Sequence, residues 1–157
     1  MQYISTRDKN TTYLASQAIA QGLAPDGGLM TPAYLPKLPG KSLSDLKEMS
    51  YQQRAVFVMN SFLEDFTASE LSVKELTEFA AAAYGPEKFD TPAVAPVRAL
   101  DDGTFCLELW HGPTCAFKDM ALQMLPHLLT ASLVKTEEEK TVCILVATSG
   151  DTGKGAL

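Results

Sequence analysis

The sequence predicts an α/β protein in two parts: a mainly helical stretch over residues 1–90 and the incomplete start of an α/β domain over 91–157. Two patterns carry this reading. Apolar residues recur at three- and four-residue steps through much of the first part, the period of helices with one buried face. In the second part, Val142-Cys143-Ile144-Leu145-Val146-Ala147 is an unbroken apolar run rich in β-branched residues, which reads as a strand covered on both faces in a parallel sheet. The run leads straight into a glycine-rich strand-to-helix turn. A parallel sheet needs more strands than follow, so the expectation includes a chain that is a fragment of a larger fold.

Taken in order, Leu14 to Gln21 reads as a helix ended by Gly22 in a left-handed C-cap. Pro25-Asp26-Gly27-Gly28 is a strong turn signal, followed by the short apolar piece Leu29-Met30 and an irregular segment containing Pro32, Pro36 and Pro39. Ala55, Val58, Met59, Phe62, Leu63 and Phe66 line one face of a helix over Gln52 to Phe66. Ser72-Val73-Lys74-Glu75 has the form of a capping box, and Val73, Leu76, Phe79, Ala80 and Ala83 continue an apolar stripe until Gly85-Pro86 stops it. Such stripes exist to be buried, and these two helices are expected to pack together.

Val94 to Leu100 and Thr104 to Trp110 are strand-like and joined by the hairpin signal Asp101-Asp102-Gly103. Ala116 to Val134 has helical spacing with Pro126 inside it, which predicts a kink or a break. Glu137-Glu138-Glu139-Lys140 reads as a solvated connection.

With 13 basic against 19 acidic residues the formal charge is -6, and no Lys/Arg-rich run is present. Nucleic acid is therefore excluded as a partner, since phosphate binding needs a concentrated basic surface. The amino terminus lacks the basic and apolar regions of a signal peptide, and the apolar runs are too short to cross a bilayer. A soluble, cytoplasmic protein is expected. Cys106, Cys115 and Cys143 contain no Cys-x-x-Cys pair and are read as buried free thiols. Cys106, His111 and Cys115 match no common zinc spacing, so no metal site is expected.

Two segments carry chemistry, both between a strand and a helix: His111 to Asp119 and Thr148 to Gly155. Such turns present unpaired backbone N–H groups suited to an anionic group. The second matches neither phosphate fingerprint. Thr148 and Gly155 stand where a P-loop requires Gly and Ser/Thr, and Gly150, Gly153 and Gly155 reverse the dinucleotide spacing. A lysine of ordinary pKa, about 10.4, is protonated at neutral pH, so imine chemistry needs an environment that favours the free amine. Lys118 begins a predicted helix, directly after Phe117 and a Gly-Pro bend, and partial burial there would act in that direction. The structural alternative is an ion pair with Asp119 or Asp151.

The run HGPTCAFKDMALQ resembles the cofactor-lysine motif of threonine synthases, and TSGDTGKGAL resembles the turn that follows it in that family. YISTRD and QAIAQGLAPDGGLMTP are similar to the family's amino-terminal domain. Asp8 after Ser-Thr-Arg, and Gly155 where alanine is common, are small departures. The resemblance implies a PLP-dependent fold type II (tryptophan synthase β-like) domain after a helical amino-terminal domain, and conversion of O-phospho-L-homoserine and water to L-threonine and phosphate. It implies that Lys118 holds pyridoxal phosphate and moves protons. It further implies that Asp151 approaches the cofactor ring oxygen, and that Ser149, Gly150, Thr152 and Gly153 grip the substrate carboxylate. His111 and Thr114 would order the lysine turn. The cofactor phosphate and pyridine-nitrogen contacts are expected outside this sequence, so the isolated chain is expected to hold no cofactor and to be inactive, with self-association possible. A related lyase acting on another phosphorylated hydroxy-amino acid, or an interaction module without catalysis, are the alternatives.

Overall fold

The computed structural model describes residues 1–38, 40, 43–63 and 73–156. The chain opens with a small antiparallel sheet. β1 (Gln2–Ser5) is central, flanked by β2 (Thr12–Leu14) and β3 (Met30–Pro32), with Tyr3 opposite Tyr13 on one side and Pro32 on the other. Pro32, which has no N–H to donate, sits on an edge strand. The first part is thus not only helical: the extended pieces Gln2–Ser5 and Met30–Pro32 find each other across the turn at Pro25–Gly28.

That turn is fixed by side chains. Asp26 Oδ1 accepts from Ser5 Oγ at 2.8 Å and from Gly28 N at 2.8 Å, while Arg7 donates to the Asp26 carbonyl at 3.0 Å. Ser5 is buried, and a Cβ on Gly28 would collide with its hydroxyl.

α1 (Ala15–Gln21) starts where Gln17 accepts from Leu14 N at 2.8 Å. It ends at Gly22 as expected, by a different turn. With φ 74° and ψ -75°, and Leu23 N bonded to the Gln21 carbonyl at 3.0 Å, Gly22 is the centre of a γ-turn rather than a left-handed cap. After the short α2 (Leu43–Lys47), α3 (Tyr51–Phe62) begins at a capping box. Ser50 Oγ accepts from Gln53 N at 3.2 Å, and Gln53 Oε1 accepts from Ser50 N at 2.8 Å. α3 ends at Phe62 with Leu63 as its C-cap, short of the expected Phe66; Phe66 itself and the capping box at Ser72 lie outside the described residues.

α4 (Val73–Ala83) packs on α3 as expected, but Val58 and Val73 of the expected stripes are exposed, and the buried residue of α3 is Val56, which its stripe left out; α4 stops before Gly85, where a Cβ would stand 2.6 Å from the Ala81 carbonyl oxygen. Val56, Leu63, Leu76, Ala80, Ala83, Tyr84 and Phe89 form the buried core with Ala15, and Val94 and Met124 join the same cluster from beyond residue 90. One apolar core therefore includes residues from both parts of the chain.

The second part starts with the hairpin β4 (Val97–Ala99) and β5 (Phe105–Leu107). Asp102 and Gly103 have φ of 42° and 80°, and Thr104 N bonds to the Asp101 carbonyl at 2.7 Å, the form of a primed type I turn. The expected helix over Ala116 to Val134 is broken in two: α5 (Asp119–Leu122) and α6 (Leu125–Lys135), with Pro126 in the first turn of α6. There its missing N–H costs nothing. α6 lies against α1.

Val142 to Ala147 departs from expectation: the run forms no strand among the described residues and is exposed, Leu145 by 90%. The residue pattern of a doubly covered strand is present, and neighbouring strands that would cover it are absent among the described residues. α7 (Asp151–Ala156) closes the described chain.

Candidate functional site

The lysine turn hangs from two anchors. At its start, the His111 ring is held between carboxylates, Nδ1 2.6 Å from Asp90 Oδ1 and Nε2 2.8 Å from Glu108 Oε2. A ring that donates from both nitrogens to carboxylate oxygens is the imidazolium, the form this geometry favours. The Glu108 hydrogen bond and then that of Asp90 raise the His111 pKa above its ordinary value. Arg98 Nε balances the second oxygen of Glu108 at 3.3 Å, and the His111 carbonyl accepts from Asp90 N at 3.1 Å. At its end, the Tyr84 hydroxyl, buried at the close of α4, donates to the Met120 carbonyl at 2.8 Å. Burial pushes the Tyr84 phenol well above its usual pKa.

Between the anchors, Asp119 organises the bend. It is fully buried; Oδ2 accepts from Thr114 N at 2.9 Å and Oδ1 from Thr114 Oγ1 at 2.8 Å. Gly112 leaves room for this carboxylate, since a Cβ there would lie 2.5 Å from Asp119 Oδ2. Lys118 precedes α5 and is half-buried, its ammonium 4.8 Å from the centre of the Phe117 ring. Phe117 is itself 55% exposed, so it shields the lysine less than the sequence suggested. Among the described residues Lys118 pairs with neither Asp119 nor Asp151. The structural alternative for this lysine is thereby removed.

The glycine turn is built around Thr148, whose Oγ1 accepts from Gly150 N at 3.1 Å and Gly153 N at 3.0 Å. Gly150 has φ 135°, and a Cβ on buried Gly153 would meet Val146 Cγ1 at 2.8 Å. Two of the amides assigned to the substrate carboxylate are thus engaged by Thr148. The N–H groups of Ser149, Asp151 and Thr152 have no acceptor among the described residues.

The two turns meet. α7 contacts α5, Gly155 lies against Leu122, and Lys154 Nζ donates to the Thr114 carbonyl at 3.1 Å. Lys118 is therefore carried on a bend in contact with the one that bears Ser149, Gly150, Asp151, Thr152 and Gly153. Sequence reasoning missed Asp119, Thr148, Lys154 and the two carboxylates on His111. Only the spacing of Glu108 and His111, three residues apart, hinted at one of them. The thiol expectation is corrected too: all three cysteines are free, but Cys115 and Cys143 are exposed.

Mixed helices and strands, with a lysine bend resting on a glycine turn, give the chain the build of the amino-terminal part of threonine synthases. A model of the family described as "Threonine synthase N terminus" matches residues 2–84, and the chain belongs to the threonine synthase family. It is 41% identical to threonine synthase of Pseudomonas aeruginosa over 100% of its own length and 32% of that protein. Against threonine synthase of Schizosaccharomyces pombe the identity is 37%, over 100% of this chain and 31% of that one. A crystal structure of PLP-bound threonine synthase from Brucella melitensis superposes with a TM-score of 0.83 at 38% identity, covering 99% of this chain and 32% of that one. The fold is that of the amino-terminal portion of threonine synthase, and the chain spans about a third of the length of the relatives it matches. No helix among the described residues is long and apolar enough to cross a membrane.

Proposed function

We propose that these residues form the lysine-bearing third of a threonine synthase, which converts O-phospho-L-homoserine and water to L-threonine and phosphate. The observation that supports this best is the contact between the lysine bend and the glycine turn, through Lys154 and Thr114 and through α5 and α7. Lys118 fits the attachment of pyridoxal phosphate: it is partly accessible and has no acidic partner among the described residues. When bound, the cofactor supplies the electron sink that makes the substrate's α and β carbons acidic. The ε-amine of Lys118 is the proton carrier at those carbons. Ser149 and Thr152 would offer hydroxyls and open N–H groups to the substrate carboxylate, with Gly150 and Gly153 giving the bend its shape, and Asp151 would be the residue that serves the cofactor's ring oxygen.

In this reading residues 1–90 are the amino-terminal domain and 91–157 the start of the cofactor domain, acting in the cytoplasm. On the same reading the contacts to the cofactor phosphate and pyridine nitrogen lie outside residues 1–157, and these residues by themselves hold no cofactor and are inactive. Its uncovered run from Val142 to Val146 favours self-association in isolation. The test is Lys118→Ala in a protein that continues past Leu157. Loss of the near-visible absorption of the lysine-bound cofactor and of nearly all threonine formation is expected, and normal turnover would overturn the assignment.

A further inference from the structure

Thr114 stands at a junction that neither the expected lysine chemistry nor the expected carboxylate site uses. Its N–H and hydroxyl both go to the buried Asp119 carboxylate, at 2.9 and 2.8 Å, and its carbonyl accepts from Lys154 Nζ at 3.1 Å. All three polar groups of one residue are engaged, two within the lysine bend and one from the glycine turn. Lys154 follows Gly153, whose N–H is held by Thr148, and its own N–H bonds to the Gly150 carbonyl at 2.8 Å. These bonds form a continuous chain from the glycine turn through Lys154 to Thr114 and on to Asp119, the residue next to Lys118. Gly112 and Gly155 permit this closeness: a Cβ on the first would strike Asp119 at 2.5 Å, and one on the second would meet Leu122 Cδ1 at 2.7 Å.

We infer that Lys154 and Asp119 are positioning residues which join the two turns through Thr114, so that the carboxylate-binding bend and the lysine move as one body. This inference rests on the reading above for what the two turns bind, but the mechanical link is testable without it. Lys154 is exposed, and replacing it leaves the core untouched.

The experiment compares amide hydrogen exchange by NMR in the 157-residue chain and its Lys154→Met and Lys154→Arg variants. Methionine keeps the aliphatic stem and removes the donor, whereas arginine keeps a donor. Exchange at the Thr114 amide, on the other turn, should quicken by about threefold to tenfold in Lys154→Met, the range of one ordinary hydrogen bond, and return towards the starting value in Lys154→Arg. A Lys154→Met effect confined to residues 150–156, or one that arginine fails to rescue, overturns the link. In a protein that continues past Leu157, Lys154→Met should raise KM for O-phospho-L-homoserine more than it lowers kcat. An unchanged KM there, with Thr114 loosened in the short chain, would leave the link standing and refute its part in binding substrate. Absence of any turnover by the unaltered longer protein would instead refute the threonine synthase reading.

Discussion

The helices over residues 51–83 and the turns over residues 111–156 are held by different means. α3 and α4 bury Val56, Leu76, Ala80 and Ala83 against each other and against Tyr84 and Phe89, and α3 is capped by its own Ser50 and Gln53. The turns have little core of their own. Met124 reaches the common cluster and Met120, Leu128 and Ala131 pack against it, but the lysine bend is also tied by His111 to Asp90 and by the Met120 carbonyl to Tyr84, and the run leading to the glycine turn is exposed. The chemistry-bearing segments are thus placed by polar ties to the end of the helical part and to each other. Stability in this chain should follow the helical packing, while the geometry around Lys118 should follow the ties.

The contrast is broken most directly at Leu76, which is 4% exposed in the centre of the helical packing. Leu76→Ala removes buried methyl groups and leaves a cavity, a change that costs about 2 to 5 kcal/mol. Urea unfolding should show a loss in that range. A loss below about 1 kcal/mol would mean that the helical part is not the seat of stability.

A smaller effect, and one that reads the ties rather than the core, is expected from His111. Its folded pKa is raised, by the hydrogen bond to Glu108 first and that to Asp90 second. The native state therefore holds the proton more tightly than the unfolded chain, whose histidine titrates near pH 6.5. The contribution is fully present below that pH and is lost as pH rises through the higher folded pKa. Unfolding midpoints measured across this window should fall with rising pH in the unaltered chain, and the His111 contribution to that fall should vanish in His111→Gln. An identical pH dependence in both proteins would remove the imidazolium as a tie between Asp90 and the lysine bend.

The parts legible in the sequence are those whose cause is local. The helix over Val73–Ala83, the Asp102-Gly103 turn, the stop at Gly85 and the break at Pro126 each depend on residues within one or two turns of chain, and all are found. Ser50-x-x-Gln53 carries the same local signature as the capping box sought at Ser72. The three-stranded sheet was not legible because strands of 3 and 4 residues are too short to show an alternating pattern, and β1 pairs with β3 only after the chain has turned back at Pro25–Gly28, the turn that Ser5 and Asp26 hold. In the site, Lys118 and the glycine turn stand out by residue type. The carboxylates that hold Thr114 and His111 do not, because an aspartate or glutamate at the surface and one that accepts two buried hydrogen bonds look alike in sequence.

The smallest effect is expected where the sequence pattern and the structure disagree most. Leu145 belongs to an apolar run that reads as a covered strand, yet it is 90% exposed. Burial is what makes a leucine costly to replace; removing apolar surface that water already touches changes little on folding. Leu145→Ser should therefore shift the stability of the 157-residue chain by no more than about 0.5 kcal/mol, the usual span for exposed sites. The same substitution should reduce self-association if the uncovered run is the surface that associates, which sedimentation at several concentrations would show. In a protein that continues past Leu157 and supplies the neighbouring strands, the side chain becomes a core residue and the cost should rise to about 2 kcal/mol or more. The pair of measurements separates a run that is exposed by nature from one that awaits its cover. A small cost in both proteins would show that residues 142–147 are not the buried strand their composition describes, whereas a large cost in the short chain would show that the run is already covered there.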